Sequence, residues 1–147
     1  MTINCNGSLM DLSAPRVMGI LNVTPDSFHD GGRYMDIAAI LVRAEQMVRE
    51  GADIIDIGGM SSKPGSRIIS VEEELERVLP SITAIRAKFP DTILSIDTIH
   101  AAVAEKAVAH GVSIVNDISA GTLDKAMIAT VARLQVPYII MHMQCTP

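Results

Sequence analysis

Asn22, Asp56, Asp97, the pair Asn116-Asp117 and His142 lie far apart in the chain, yet each falls in or at the end of an apolar run. The runs are "VMGILN", "DIIDIGG", "TILSID", "VSIVND" and "VPYIIM". Two amides, three carboxylates and an imidazole gathered on one rim would line a pocket for a polar ligand. Each also has a plainer reading. Asp97 suits the cap of a following helix, and Asp117 suits a turn or cap. His142 suits a satisfied structural histidine. Asn22 fits this alternative less well, because no helix begins directly after it. Asp56 lies inside its apolar run, where an unpaired carboxylate is costly, so it requires a bound polar ligand or a neighbouring donor.

Two polar loops follow the first two runs. After Asn22, "VTPDSFHDGG" spends ten residues on a stretch rich in hydroxyls, carboxylates and glycines, where a tight connection needs about two to six. "GGMSSKPGS", Gly58 to Ser66, has the composition of an anion cradle: glycines for close backbone approach, serine donors and the charge of Lys63. Long loops over a compact domain are commonly lids or binding loops, although Ser/Gly/Pro stretches are often only connections.

The elements that must position these groups are legible from periodicity. Asn6-Gly7 between loosely alternating residues predicts a short hairpin over residues 1–15. Ile37, Ile40, Leu41, Ala44, Met47 and Val48 keep the 3.6-residue period of a helix over Asp36 to Glu50, stopped by Gly51. Ser70 and Glu73 form a capping box for a second helix with Leu75, Val78, Leu79, Ile82 and Ile85 inward, which Pro80 should kink or divide. A third, alanine-rich helix ends at His110, and a fourth is expected over Leu123 to Leu134. Strand–helix alternation of this kind means βαβ units and a parallel sheet. A doubly wound sheet and a (β/α)8 barrel compete. The lack of GxGxxG after the first run weakens the dinucleotide-binding version of the former. Five strands also fit the early part of a barrel that needs about 250 residues for eight units.

The 147 residues are 48% hydrophobic and 3% aromatic, rich in Ile, Val, Ala, Leu and Met, which suits strands buried on both faces. A net charge of −5 disfavours a nucleic-acid partner, which calls for clustered Lys and Arg. Neither a signal peptide nor an apolar run approaching the ~20 residues of a membrane span is evident. Cys5 and Cys145 sit in no metal-type spacing. The expectation is a single cytoplasmic domain over 1–147, with no membrane or nucleic-acid partner.

Taken in order, "GILNVTPDSFHDGG", "GADIIDIGGMSSKPGS", "SIDT", "IVNDISAG" and "MHMQCTP" resemble the signatures of dihydropteroate synthase, the pterin-binding barrel of folate biosynthesis. The resemblance runs from about Arg16 to Pro147. It implies an α/β, (β/α)8 TIM barrel, here a partial barrel of about five βα units behind the hairpin. It also implies a reaction, the condensation of (7,8-dihydropterin-6-yl)methyl diphosphate with 4-aminobenzoate, releasing diphosphate.

The matching positions carry the roles. Asp97 would stabilise positive charge on the pterin methylene, Asn116 would hydrogen-bond the pterin, and Met141 would pack on it. Asn22 would supply an oxygen to Mg2+. Ser62 and Lys63 would contact diphosphate, with Lys63 counted among the catalytic groups. Thr24, Pro25, Asp26, Ser27 and Phe28 would form the lid over 4-aminobenzoate, and Asp56 would join the substrate pocket.

The chain departs from the family pattern at Met60, at Ser61-Ser62-Lys63 in place of Ser-Thr-Arg, and at Cys145 in place of glycine. Lysine keeps the charge but loses the bidentate fork of arginine. The family's later aspartate, Ser-Arg-Lys and Arg-x-His segments have no counterpart in these residues. The expectation is therefore a truncated barrel, weakly active or inactive alone, from an enzyme that is a homodimer and a sulfonamide target. The alternatives are a pterin-binding methyltransferase-like barrel and a non-catalytic pterin- or partner-binding fragment.

Overall fold

Asn6 and Gly7 take φ of 54° and 92°, the left-handed pair that a tight two-residue turn demands. The turn joins β1 (Thr2–Cys5) to β2 (Ser8–Asp11) in an antiparallel ribbon with Cys5 opposite Ser8. The Asn4 side chain closes it by accepting from the Gly7 N–H at 2.8 Å. This structure, a computed structural model, describes residues 1–24, 37–60 and 67–142.

Beyond the ribbon the chain alternates as periodicity predicts. The order is β3 (Met18–Asn22), α1 (Ile37–Arg49), β4 (Ile54–Gly58), α2 (Val71–Lys88), β5 (Ile93–Asp97), α3 (Ala101–Ala109), β6 (Ile114–Asp117), α4 (Met127–Leu134) and β7 (Tyr138–Ile140). The five strands after the ribbon form one parallel sheet in the order β3-β4-β5-β6-β7. A doubly wound sheet reverses direction at a switch point. Here every crossover moves the same way, and each helix packs on the next. That leaves one helical layer on one face of the sheet, the arrangement of a (β/α)8 barrel wall.

Side-chain alternation divides the strands between two cores. Leu21, Ile55, Ile57, Leu94, Ile96 and Val115 face the helices and pack with Ile40, Val78, Ile82 and Ile85. Full burial of an aliphatic side chain contributes roughly 1.5–3 kcal/mol, so this layer dominates stability. On the opposite, inner face, Ile54 and Ile114 pack with Cys5 and Met10 of the ribbon, joined by Met18, Ile93 and Ile139. The ribbon thus plugs the lower end of the inner face. Arg16 fastens it there, donating to the Asp11 carbonyl at 2.9 Å and pairing with Asp53 at 3.0 Å.

Two expectations about helices change. Pro80 does not divide α2, which runs unbroken from Val71 to Lys88. The proline removes the N–H that the Glu76 carbonyl would accept, but the flanking turns and the buried Val78, Ser81, Ile82 and Ile85 hold the helix together. The Ser81 hydroxyl also bonds back to the Arg77 carbonyl at 3.2 Å. The fourth helix begins at Met127, not Leu123. Asp124 is drawn out of the helix because its carboxylate accepts from the N–H of Ala101, at the start of α3, and of Ala126. The expected start of α1 at Asp36 lies outside the described residues.

Candidate active site

Strand register brings the candidate residues together. Asn22 lies beside Gly58, Gly58 beside Asp97, and Asp97 beside Asn116, one row crossing four strands at their C-terminal ends. Adjacent strands are about 4.8 Å apart, so residues separated by most of the chain share one rim. The row below holds Ile20, Asp56, Ser95 and Ile114. Below that, Met18, Ile54 and Ile93 meet the ribbon. The inner face therefore passes from apolar to polar toward the strand ends.

Gly58 permits the closest approach on the rim. A Cβ there would lie 3.4 Å from Asn22 Oδ1 and 3.5 Å from Asp97 Oδ2. With only hydrogen between them, an amide oxygen and a carboxylate oxygen face the same small space. These are hard oxygen donors of the type that Mg2+ takes together with substrate phosphate and water. No group of three or more His, Cys, Asp or Glu able to hold a metal occurs among the described residues. Two such oxygens fit a cation that takes its remaining ligands from water and substrate phosphate.

Acidic groups crowd this rim. Burial, followed by the charges of Asp56, Glu74 and Asp117, pushes the Asp97 carboxyl up to about 7. Asp97 is therefore near the midpoint of its titration at neutral pH, and a bound cation would drive its proton off. Asp56 is only 3% exposed, and burial raises its pKa as well. Its partner is Asn116, whose Nδ2 donates to Asp56 Oδ2 at 2.9 Å. Ser95 on the neighbouring strand opposes the rise. Among the described residues, Asp56 Oδ1, Ser95 Oγ and Asn116 Oδ1 are all buried without a hydrogen-bond partner.

Asp117 differs. It points to the helical face and is saturated with donors: Ser119 N–H and hydroxyl at 2.8 Å, Gly121 N–H at 2.7 Å and the Tyr138 hydroxyl at 2.7 Å. It shapes the loop after β6, as its turn reading expects. Met141 and His142 follow β7 and are exposed, so His142 is not a buried structural histidine. Thr24 is half-buried past the end of β3. Pro25, Asp26, Ser27, Phe28, Ser61, Ser62, Lys63 and Cys145 lie outside the described residues.

Sequence reasoning missed Glu74 and His100. Glu74, fully buried in the first turn of α2, accepts from His100 Nδ1 at 2.7 Å. Burial raises its pKa against the opposing pull of His100 and the Thr98 hydroxyl. His100 caps α3 and its N–H donates to Thr98 Oγ1 at 3.1 Å, so this network braces the loop after Asp97. A signal existed: Glu74 shares the helical face of Val78 and Ile82, at the i, i+4, i+8 spacing of buried positions. Read only as a first-turn acid, it passes for a partner of the helix dipole.

The arrangement resembles known proteins throughout. The sequence profile described as "Pterin binding enzyme" matches residues 18–147. The chain is 48% identical over 128 residues to a dihydropteroate synthase of Streptococcus pyogenes, covering 87% of this chain and 48% of that protein. It is 52% identical over 128 residues to the folic acid synthesis protein fol1 of Pneumocystis carinii, covering 87% of this chain and 17% of the relative. Among solved structures, Xanthomonas albilineans dihydropteroate synthase with 4-aminobenzoic acid superposes with a TM-score of 0.90 at 42% identity, covering 99% of this chain and 54% of that one. The Yersinia pestis dihydropteroate synthase with a sulfonamide drug gives 0.87 at 42% identity, covering 100% and 52%. The chain thus spans about half the length of these synthases and less of the fol1 protein.

Proposed function

The chain belongs to the pterin binding enzyme family, and from that premise we propose that it carries half of a dihydropteroate synthase site. In the proposed reaction, the amine of 4-aminobenzoate forms a C–N bond to the pterin methylene. The C–O bond to diphosphate breaks, and the amine gives up a proton. Positive charge builds on the methylene as diphosphate leaves. Fixed negative charge beside that carbon lowers the barrier, because it is oriented before the reaction begins. Asp97 is suited to this role when ionised, and Asn116 on the next strand is suited to hold the heterocycle.

Mg2+ belongs to the proposal. Asn22 Oδ1 and Asp97 Oδ2 would hold it, and when bound it would neutralise charge on the leaving diphosphate. Ser62 and Lys63 are assigned to the diphosphate, Thr24, Pro25 and Phe28 to the 4-aminobenzoate side, and Met141 to the pterin ring, by their match to the family's signatures. A cytoplasmic homodimer is part of the same reading. One relative from Arabidopsis thaliana carries "mitochondrial" in its name, so cell fractionation and light scattering are the checks on compartment and assembly.

The observation that carries the reading is the single row Asn22, Gly58, Asp97 and Asn116. The test is formation of dihydropteroate by the protein with Mg2+, requiring both the pterin diphosphate and 4-aminobenzoate. For these 147 residues alone, weak pterin binding and little or no turnover are expected. A protein that includes the rest of the barrel should turn over. If that longer protein binds pterin but couples no amine, the site is a binding module. If it binds no pterin, the reading is overturned.

A further inference from the structure

Asp56 and Asn116 form a buried pair beneath the rim, 3% and 6% exposed. The Asn116 amide nitrogen donates to Asp56 Oδ2 at 2.9 Å, the sense in which a carboxylate, able only to accept, holds an amide. The other side is then fixed as well. Among the described residues, Asn116 Oδ1 is left as a buried acceptor with no hydrogen-bond partner, and Asp56 Oδ1 and Ser95 Oγ are likewise without one. Buried acceptors are normally satisfied, and an exception calls for an explanation. These three oxygens stand on three adjacent strands of one inner face, within two neighbouring rows. Among them only Ser95 has a proton to give, so the cluster has more acceptors than donors.

We propose that Asp56 is a positioning residue: its carboxylate holds the Asn116 amide nitrogen inward and so presents the amide oxygen to ligand edges that carry N–H donors. The ligand class rests on the pterin reading, whereas the orientation of Asn116 concerns this chain alone. An aminated heterocycle edge reaching this oxygen would satisfy it. An edge with a carbonyl at the same place sets acceptor against acceptor and leaves both unpaired, and discrimination by unpaired buried groups is strong. In Asp56→Asn the two carboxamides can pair in either sense, so the Asn116 amide can turn over and the preference should relax.

Two measurements test this. In 15N-labelled protein, the Asn116 side-chain amide protons should be shifted downfield and protected from exchange, and Asp56→Ala should abolish both effects. Calorimetry would then compare 6-hydroxymethylpterin with its lumazine counterpart, in which oxygen replaces the exocyclic amine. The unsubstituted protein should favour the amine by at least about a hundredfold, and Asp56→Asn should reduce that ratio by about tenfold or more. Far-ultraviolet circular dichroism establishes that each variant is folded. The ratio of affinities is the decisive readout, since loss of packing alone would weaken both ligands together. An Asn116 amide unmoved in Asp56→Ala, or an undiminished ratio in folded Asp56→Asn, overturns the proposal. If an unsubstituted protein that includes the rest of the barrel binds neither heterocycle, it is the pterin reading that fails, and the amide resonances alone decide the orientation.

Discussion

Asp97 and Asp117 end neighbouring strands and have the same side chain, yet their surroundings are opposite. Asp117 faces the helices and accepts from two backbone N–H groups and two hydroxyls. Asp97 faces inward among Asp56 and Glu74, and its carboxyl rises to about 7. The first carboxylate is spent on its own loop. The second is held near its titration point with its Oδ2 turned toward Asn22 across Gly58. A buried acid whose donors are all internal is structural. One whose compensation has to arrive from outside marks a site.

The largest effect should come from breaking the functional side of that contrast. Under the proposed reaction, Asp97→Ala lowers kcat by about 10²–10³-fold, measured as dihydropteroate formation. Asp97→Asn should lose comparable activity yet stabilise the fold at pH 8 by about 0.5–2 kcal/mol, as substitutions that relieve a destabilised site commonly do, read by chemical denaturation. The sign follows from the raised pKa. Between the ordinary carboxylate range and about 7 the folded state binds more protons than the unfolded one. The contribution of Asp97 to stability is therefore greatest at low pH and is lost as pH rises toward 7. The asparagine variant should lack that slope, and an unchanged slope would show that Asp97 does not titrate as described.

Breaking the structural side should do the reverse. Asp117→Ala strands the Tyr138 hydroxyl and the Gly121 N–H, at a cost of about 3–4 kcal/mol from the loss of several buried bonds. That should appear as a midpoint shift in urea. Gly58→Ala sharpens the comparison, because its methyl would stand at ordinary contact distance from Asn22 Oδ1 and Asp97 Oδ2. The fold should tolerate it within about 1 kcal/mol, while the Mg2+ concentration needed for half-maximal rate rises. An unchanged Mg2+ requirement would remove the cation from between these two side chains. The smallest effect is expected from Tyr138→Phe, which takes one donor from Asp117 and costs about 1 kcal/mol without altering pterin affinity.

Much of this was legible without coordinates. The turn at Asn6-Gly7, the Ser70 cap of α2 and the apolar stripes of α1 and α2 depend on neighbours within a few residues and appear where the sequence put them, although the Glu73 carboxylate of the expected capping box pairs with Arg67 and Arg77 instead. Ordered motifs ending each strand pointed to one rim, because parallel strands share a direction. The start of α4, the continuity of α2 through Pro80 and the buried pairing of Glu74 with His100 were not legible. Asp124 leaves the expected fourth helix for the start of α3, and Glu74 pairs with a histidine on another element. Both choices depend on groups distant in the chain.

The amino-acid sequence by itself determined which elements form, their parallel direction and the polar groups that end them, since these follow from local spacing and hydrogen-bonding chemistry. Only the tertiary structure decided which of those groups is satisfied. Strand order and register set Asn116 against Asp56 and surrounded Asp117 with donors. The cost of burying an acid depends on what stands within about 3 Å of it, and those neighbours come from remote parts of the chain.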